Sequence, residues 1–412
     1  MKQPPSEHIR ATRNLKYLRT SNRAEVLRLL ATEGTATRLT LAKRLGLTKM
    51  AVGMIASELQ KAGLVGERID AAKLPDQSSG ASKHMAAAGR PAAMLTLLPD
   101  QITALGLYLS RDAINGVLAD ISGRIIRIWR LVLDTWTQPI TPETYINQIR
   151  RLARQMTDET KGCKVAGFGV SSIGPLDQRQ GRLLTPPNFH DLADLPLRQI
   201  LEETVDLPVF LENDMNAAGL AEYLYGAGRS AGHMIYVGLT NGVGAGIIVN
   251  GQIFRGGSGF TGEIGHMSLQ MDGPFCDCGH RGCLELYASI PVILRKAGKS
   301  SLDDLLRTAA GNQQDGAWRR ELIDALGTAL INLANLFDPD LILIGHEGSR
   351  LVPLIQADLQ QKLDQSIFQR QSKHIPVQAA AFGSRTPLVG AAALVFQAVF
   401  QGELIPLPPE QA

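Results

Sequence analysis

The stretch EIGHMSLQMDGPFCDCGHRGCLE, residues 263–285, contains three of the four cysteines of the chain within eight residues. No apolar segment typical of a secretion signal occurs in residues 1–10, so this spacing favours a metal site over disulfides. Zn²⁺ favours four tetrahedral thiolate and imidazole ligands, and three Cys with one His leave no position open for water. The stretch predicts a structural zinc site that ties a glycine-rich loop without a core of its own. Its ligands are His266, Cys276, Cys278 and Cys283.

Two alternatives to this ligand set remain open at the level of the sequence. His280 lies close enough in the chain to be the fourth ligand instead of His266. Three reduced thiols without any metal are the other alternative.

Charge is distributed unevenly along the chain. Residues 1–100 contain 16 Lys and Arg against 8 Asp and Glu, whereas residues 101–412 contain 26 against 31. This asymmetry favours an N-terminal module that binds a polyanion, and a solvated basic face is the alternative. No run reaches the roughly 18 apolar residues typical of a membrane span. We therefore expect a soluble cytoplasmic protein with no membrane partner.

The N-terminal quarter of the chain predicts a winged helix-turn-helix with a linker, residues 1–98. Apolar residues recur at helical spacing in three short segments, and two strand-like segments follow that can pair as a hairpin wing. The predicted helices are 23–32, 39–45 and 48–62, and the predicted strands are 64–69 and 93–97.

A helix-turn-helix places the N-terminal residues of its second helix against base edges in the major groove. Thr48, Lys49, Met50 and Gly53 are therefore candidate DNA contacts, although Thr48 could serve only as the helix cap. Arg90 lies just before the second wing strand, and a narrow minor groove attracts an inserted arginine. An ordinary turn is the alternative at Arg90.

From residue 102 onward, strands alternate with helices, which predicts a layered α/β body. The predicted strands are 103–109, 114–121, 125–133, 165–171, 208–211, 234–239, 245–249 and 341–344. The predicted helices are 142–156, 215–225, 318–337, 352–363 and 388–400.

Four motifs of this body resemble the ROK family, named for repressors, open reading frames and sugar kinases. They are ENDMNAA (212–218), GVGAG (242–246), EIGH (263–266) and CDCGHRGCLE (276–285). Together with the N-terminal module they resemble the NagC/XylR-type repressor branch, over about residues 15–400.

The resemblance implies a two-lobed actin-like (ribonuclease-H-like) body with a sugar bound between the lobes. The first lobe would comprise residues 99–213 and 385–408, and the second lobe, with the zinc site, residues 214–384. His266 would bind zinc through one ring nitrogen and the sugar through the other. Selectivity for the sugar would lie in loops such as 171–176 and 255–262. The implied sugar-binding residues are Asn188, Asn213, Asp214, Glu263, His266 and Glu285.

Taken singly, these residues also have simpler interpretations. Residues 212–214 could merely cap the following helix, and Glu285 could be an early-turn acid favoured by the helix dipole. The glycines of residues 242–246 could form only a tight turn.

The family's kinases bind phosphate through glycine-rich loops, and these loops are altered here. Residues 106–112 read GLYLSRD where the resemblance implies Gly-x-Asp-x-Gly-Gly-Thr. Thr240-Asn241-Gly242 stands for Gly-Thr-Gly, and Gly345-His346 for Gly-Gly. ATP binding is therefore expected to be lost, and Asp214, which matches the general base of the kinases, to remain as a ligand contact.

The sequence thus predicts a transcriptional repressor, not an enzyme, that binds operator double-stranded DNA as a homodimer or homotetramer. A sugar or sugar phosphate would control it. The alternatives are a sugar kinase, including a bifunctional kinase-repressor, and a module whose basic N-terminus binds a protein.

Overall fold

The computed structural model describes residues 7–69, 93–133, 140–185, 189–309 and 316–405. Arg90 and Asn188, which the sequence places in the DNA and sugar sites, lie outside the described residues. Their predicted roles stay predictions.

Over residues 7–69 and 93–98, the N-terminal domain has three helices and a three-stranded sheet. Thr37 and Thr48 cap the second and third helices, each by accepting a hydrogen bond from a backbone N–H three residues on, and Gly46 ends the second helix with φ at 64°. The strands pair antiparallel in the order β1-β3-β2, so the predicted hairpin wing is confirmed. The elements are α1 (Glu7–Glu33), β1 (Ala36–Thr37), α2 (Arg38–Leu45), α3 (Lys49–Lys61), β2 (Val65–Ile69) and β3 (Ala93–Leu97).

The first helix is longer than predicted, because it begins at Glu7 and not near Arg23. Its N-terminal part is polar and lacks the apolar periodicity that marks a helix in sequence. Tertiary contacts stabilise this helix in place of apolar spacing, because Arg19 and Arg23 both form ion pairs with Glu58 of α3.

The first lobe of the body contains a five-stranded sheet in the order β10-β7-β4-β5-β6. Strands β4, β5 and β6 form an antiparallel meander, and β7 and β10 add parallel strands to it. Its elements are β4 (Thr103–Leu109), β5 (Ala113–Asp120), β6 (Ile125–Val132), α4 (Pro142–Glu159), β7 (Val165–Ser172), β8 (Leu176–Asp177), β9 (Arg182–Leu183), α5 (Leu197–Glu202) and β10 (Val209–Asn213).

The second lobe repeats this scheme in the order β13-β12-β11-β14-β15, again as an antiparallel meander extended by two parallel strands. The repetition confirms the expected two-lobed actin-like architecture. Its elements are α6 (Asp214–Tyr225), β11 (His233–Leu239), β12 (Val243–Val249), β13 (Gln252–Ile253), α7 (Glu285–Ala288), α8 (Ile290–Ala297), α9 (Leu302–Ala309), α10 (Ala317–Phe337), β14 (Leu341–His346), α11 (Val352–Ser366) and β15 (Val377–Ala379). The last helix, α12 (Thr386–Phe400), packs on the sheet of the first lobe.

Helices α6 and α12 pack against each other between the two sheets. Close approach depends on glycine at two positions. A Cβ at Gly246 would lie 2.1 Å from the carbonyl oxygen of Met215 in α6, and one at Gly169 would lie 1.8 Å from that of Ala391 in α12. Each helix therefore sits directly on its sheet, which brings the N-terminus of α6 to the groove between the lobes.

The N-terminal domain packs against the body through α1 and α12. Their apolar side chains belong to one continuous cluster, which includes Leu27 of α1 and Phe396 of α12. Arg229, which follows α6, donates a hydrogen bond of 3.4 Å to the carbonyl oxygen of Thr32 in α1. The domain boundaries at residues 98, 213 and 385 remain predictions.

The strands and long helices predicted for the body are all present, with ends that differ by a few residues. Short helices such as α8 and α9 were not predicted, since eight residues give little room for a helical period to show. Among the described residues, no helix combines the length and apolar character needed to cross a membrane.

Candidate functional site: an interlobe cleft beside a His/Cys cluster

A cleft of about 660 Å³ lies between the two lobes. The ends of β4, β10 and β14 reach it, together with the turn between β11 and β12 and the segment that leads into α7. Both loops expected to select the sugar contribute to its wall, through residues 173–175 and 260–262. Every described residue predicted for the sugar site lines this one cleft: Asn213, Asp214, Glu263, His266 and Glu285.

Asn213 and Asp214 stand where β10 passes into α6. Asn213 caps the helix, because its Oδ1 accepts hydrogen bonds from the backbone N–H groups of Met215 (2.9 Å) and Asn216 (3.3 Å). Asp214 Oδ1 also accepts from Met215 N at 2.9 Å. The capping interpretation is therefore confirmed for Asn213, and both side chains still face the cleft.

A buried network around Glu212 supports this corner and was missed in the sequence. Glu212 Oε1 accepts hydrogen bonds from Asn213 N (3.0 Å), Asn216 Nδ2 (3.1 Å) and Gln178 Nε2, and its Oε2 accepts from Arg255 Nε at 2.8 Å. The carboxylate is fully buried and paired with a guanidinium, so it fixes the start of α6. Arg255 is distant in sequence, and nothing in the local pattern indicated it.

The cleft raises the pKa of several of its carboxyl groups. Burial raises the pKa of Asp214 to about 7, the hydrogen bond from Met215 N opposes this, and the charge of Glu263 raises it further. The pKa of Glu263 is also raised, first by loss of water around the carboxyl group, with His266 opposing and Glu285 reinforcing the shift. Asp214 is therefore readily protonated near neutral pH, and a protonated carboxyl group can donate as well as accept a hydrogen bond.

Four ligand atoms from His266, Cys276, Cys278 and Cys283 lie within 4.8 Å of one another. Cys276 Sγ lies 3.8 Å from His266 Nδ1, and Cys278 Sγ lies 3.6 Å from Cys283 Sγ. This cluster could hold a metal ion, and His280 is not part of it. Instead, the backbone carbonyl of His280 accepts a hydrogen bond from Cys276 N at 2.9 Å.

His266 belongs to both the cluster and the cleft. Its Nδ1 lies near Cys276 and 3.5 Å from Glu285 Oε1, while the residue also lines the cleft. Glu285 is the first residue of α7, as its simpler interpretation requires, and it faces the cleft as well. The His/Cys cluster thus positions one wall of the cleft.

Two of the residues that depart from the kinase pattern meet across the cleft. Tyr108 on β4 lies with its hydroxyl 3.3 Å from Nε2 of His346, at the end of β14. Burial lowers the pKa of His346 to about 4, although Asp112 opposes this shift, so the ring is neutral at ordinary pH. His346 Nδ1 accepts a hydrogen bond from Glu347 N at 3.0 Å, so the ring proton is on Nε2. Nε2 therefore donates a hydrogen bond to the hydroxyl oxygen of Tyr108.

His346 has a left-handed backbone with φ at 56°. Such a conformation costs a non-glycine residue of order 1–3 kcal/mol, which explains why glycine suits this position in the pattern. The turn after β4, at the end of the altered 106–112 segment, is held by the hydroxyl of Ser110. Its Oγ shares its proton between Asp112 Oδ1 (3.0 Å) and the carbonyl oxygen of Ala113 (2.8 Å).

The predicted DNA contacts lie at the start of α3. Thr48 caps this helix, with its Oγ accepting from Ala51 N at 3.1 Å, which confirms the simpler interpretation and leaves a phosphate contact as a prediction. Lys49 and Met50 are exposed, and Gly53 is half-buried. Their contact with DNA remains a prediction.

Comparisons with known proteins agree with these features. The ROK family profile matches residues 104–398. The chain is 28% identical to the xylose repressor of Bacillus subtilis (strain 168) over 391 residues, 92% of this chain and 96% of that protein. It is 30% identical to the glucokinase of Streptomyces coelicolor over 317 residues, 70% of this chain and 96% of that protein. The chain belongs to the ROK family.

One solved structure extends the likeness to the whole fold. A ROK family transcriptional regulator, a homologue of the Escherichia coli Mlc protein, superimposes with a TM-score of 0.76 over 94% of this chain and 98% of that chain, at 24% identity. The repressor matches include the N-terminal domain, whereas the glucokinase leaves about a third of the chain unmatched. Within its family, the chain is a DNA-binding transcriptional repressor.

Proposed function

We propose that the chain represses genes of sugar metabolism in the cytoplasm and that a sugar bound in the interlobe cleft controls its affinity for operator DNA. The observation that carries this proposal is the convergence of five predicted sugar contacts on one cleft, in a chain that also has a winged helix-turn-helix. Amide, carboxyl and imidazole groups can pair with hydroxyls held in fixed directions. A site that buries such groups rejects ligands that leave them unpaired.

The charge of the cleft favours an uncharged sugar over a sugar phosphate. Two arginines in its wall, Arg111 and Arg130, face a larger number of carboxyl groups. Even when Asp214 is protonated, the four other carboxyl groups outnumber the two arginines, so a phosphate dianion would meet net repulsion. The carboxyl groups are Asp112, Asp214, Glu263, Glu285 and Glu347.

The names of the relatives put xylose and glucose first among the sugars to try.

We further propose that the His/Cys cluster binds Zn²⁺ as a structural ion. In a tetrahedral site with Zn–S bonds of about 2.3 Å, neighbouring ligand atoms lie about 3.7 Å apart. The 3.6 Å and 3.8 Å separations in the cluster fit this geometry. Zinc would fix the loop that carries His266, and so hold that residue at the cleft wall.

Loss of kinase activity follows from the pair formed by Tyr108 and His346. These side chains occupy the ends of two strands where the family's kinases need open glycine-rich backbone for phosphate. Asp112 adds a negative charge to the same wall, where a nucleotide phosphate would approach. Asp214 then acts as a ligand contact and not as a general base.

A chain of packed helices supports coupling between the cleft and the DNA. The N-terminus of α6 lines the cleft, α6 packs on α12, and α12 packs on α1. Arg19 and Arg23 of α1 then pair with Glu58 of α3, the helix that would enter the major groove. A dimer or tetramer would hold two such helices at the spacing of a palindromic operator, and the sugar would change that spacing.

The proposed function is tested by selecting bound fragments from genomic DNA with the purified full-length protein. We expect a palindromic site whose affinity falls steeply as salt rises. A second assay measures ATP hydrolysis with each sugar, and we expect none above background. Sugar-dependent ATP turnover without specific DNA binding would contradict the proposed repressor function and favour a sugar kinase.

A further inference from the structure

One face of α3 points away from the protein and is apolar in the N-terminal half of the helix, before the exposed Ser57. The opposite face is buried, with Val52, Ile55, Ala56 and Leu59 in the core of the N-terminal domain. Met50 is 78% exposed and Met54 is 58% exposed, one helical turn apart. Gly53 lies between them, so residues 50–54 offer no side-chain donor and no acceptor stronger than a thioether. We name Met50, Gly53 and Met54 the methionine face.

Gly53 is not explained by packing within the protein. A Cβ added at this position would meet no other atom within 4 Å. Glycine in a helix interior weakens the helix relative to alanine, so the internal structure would be better served by alanine. A flat position at the centre of an exposed helix face is instead useful when another surface comes close to the backbone.

Positive charge borders the methionine face. Lys49 begins α3, and Lys43 lies in the last turn of α2; both are exposed. Neither forms an ion pair with any other residue in the described part of the chain. Cations around an apolar centre fit a polyanion whose interior surface carries apolar groups, and DNA has both features: phosphates along the groove and methyl groups within it.

The chemistry of the major groove singles out one base. Guanine, cytosine and adenine present only hydrogen-bond donors and acceptors there, whereas thymine also presents a methyl group at C5. A methionine pressed on a donor or acceptor would leave that group unpaired, which weakens binding. A methionine pressed on the thymine methyl loses nothing, and its unbranched, polarisable side chain adapts to the contact.

We infer that Met50 and Met54 read the 5-methyl groups of two thymines in each operator half-site, with Gly53 allowing the helix to approach. The inference rests on the proposed function, since it assumes that α3 enters the major groove. Residues four apart advance about 6 Å along a helix. Base pairs rise about 3.4 Å each, so the two thymines lie about two steps apart.

The test uses the full-length protein and the operator obtained by genomic selection. Each thymine is replaced singly by deoxyuridine, which removes the methyl group and keeps base pairing. At two positions per half-site we expect affinity to fall about fourfold, the value of one buried methyl group. Met54→Ala should abolish the loss at one position and Met50→Ala at the other.

Met271→Ala is the matched control, because Met271 is 89% exposed and lies in the body. This variant should respond to deoxyuridine as the unaltered protein does. Circular dichroism of each variant checks that helix content is kept, as expected for exposed positions. Specific binding with no thymine sensitive to deoxyuridine, or with equal sensitivity in the Met50 and Met54 variants, would overturn the inference while leaving the repressor intact. Failure to bind any DNA specifically would overturn the proposed function, and the inference with it.

Discussion

At the scale of single residues, Asp214 is a carboxyl group of the cleft whose pKa is strongly raised by its surroundings. It lies at the start of α6 with 5% of its surface exposed, and burial is the main reason why its pKa rises to about 7. In the unfolded chain the same group titrates near 3.8. Between these two values the folded protein holds a proton that the unfolded chain has lost.

This difference predicts how Asp214→Asn changes stability with pH. A carboxyl group whose pKa is raised by folding makes the folded state less stable as pH rises from about 4 to about 7, and the loss is constant above that range. The variant lacks this loss. Its melting temperature, relative to that of the unaltered protein, should therefore increase from pH 4 to pH 7 and then level off. Calorimetry at several pH values measures this, and a constant difference across the range would contradict the shifted pKa.

Gly53 predicts two effects of opposite sign. Gly53→Ala should stabilise the N-terminal domain by about 0.5–1 kcal/mol, because alanine is the better helix former and its Cβ meets no neighbour. The same methyl group should weaken operator binding by holding the helix away from the groove. Thermal unfolding and fluorescence anisotropy measure the two effects.

Gly327→Ala in α10 is the control, since there the new Cβ would meet only the flexible end of Lys362. It should leave operator affinity unchanged. Equal operator affinity for Gly53→Ala and the unaltered protein would show that the helix does not approach DNA at Gly53.

At the scale of elements, the His/Cys cluster was the part of the site that the sequence defined best. Metal ligands are few in type and closely spaced in the chain, so the motif nearly determined the cluster. The sequence left His266 and His280 as rivals, because spacing alone does not show which ring turns inward. In the structure His266 joins the cysteines, and His280 contributes its backbone to the loop.

Replacing one thiol should distinguish loss of the metal site from a general loss of stability. Cys278→Ser should lose bound zinc, lower the melting temperature and weaken the response to sugar, because the loop that carries His266 would no longer be fixed. Metal analysis and thermal unfolding measure these losses. Cys163→Ser, which changes an exposed cysteine outside the cluster, should behave as the unaltered protein. A full zinc content in Cys278→Ser would remove Cys278 from the ligand set.

Regular elements with a clear period were predicted almost to their ends, whereas features that depend on tertiary contacts were not. The α2–α3 unit and its wing follow from local apolar spacing and caps. The N-terminal extension of α1 depends on partners elsewhere in the fold, and so does the Glu212–Arg255 pair. Such partners are distant in sequence, and no local pattern records them.

At the scale of the whole molecule, coupling between the cleft and the DNA depends on the packed series of helices from the cleft to α3. The contact between α1 and α3 is the smallest contact in this series of helices. Burial raises the pKa of the Glu58 carboxyl group, but hydrogen bonds from Arg23 and Arg19 outweigh this and bring the pKa below its usual value. The ion pairs therefore favour one relative position of the two helices.

Glu58→Gln should weaken this link by about 1–2 kcal/mol, the value of a charged hydrogen bond that is partly buried. We expect the variant to bind sugar normally, as calorimetry would show, but to change its operator affinity less when sugar is added. Glu67→Gln is the control, because Glu67 pairs with Arg38 of α2 and not with α1. An equal loss of response in both variants would mean that the α1–α3 contact has no special role.

We propose above all that one ligand in the cleft controls the affinity of the N-terminal domain for DNA. The most direct measurement is operator affinity by fluorescence anisotropy, titrated with single sugars and sugar phosphates, beside calorimetric binding of each ligand to the protein alone. We expect one uncharged sugar to bind and to change operator affinity by about tenfold or more, a coupling of at least about 1.4 kcal/mol. A sugar that binds in the cleft and leaves operator affinity unchanged would contradict it.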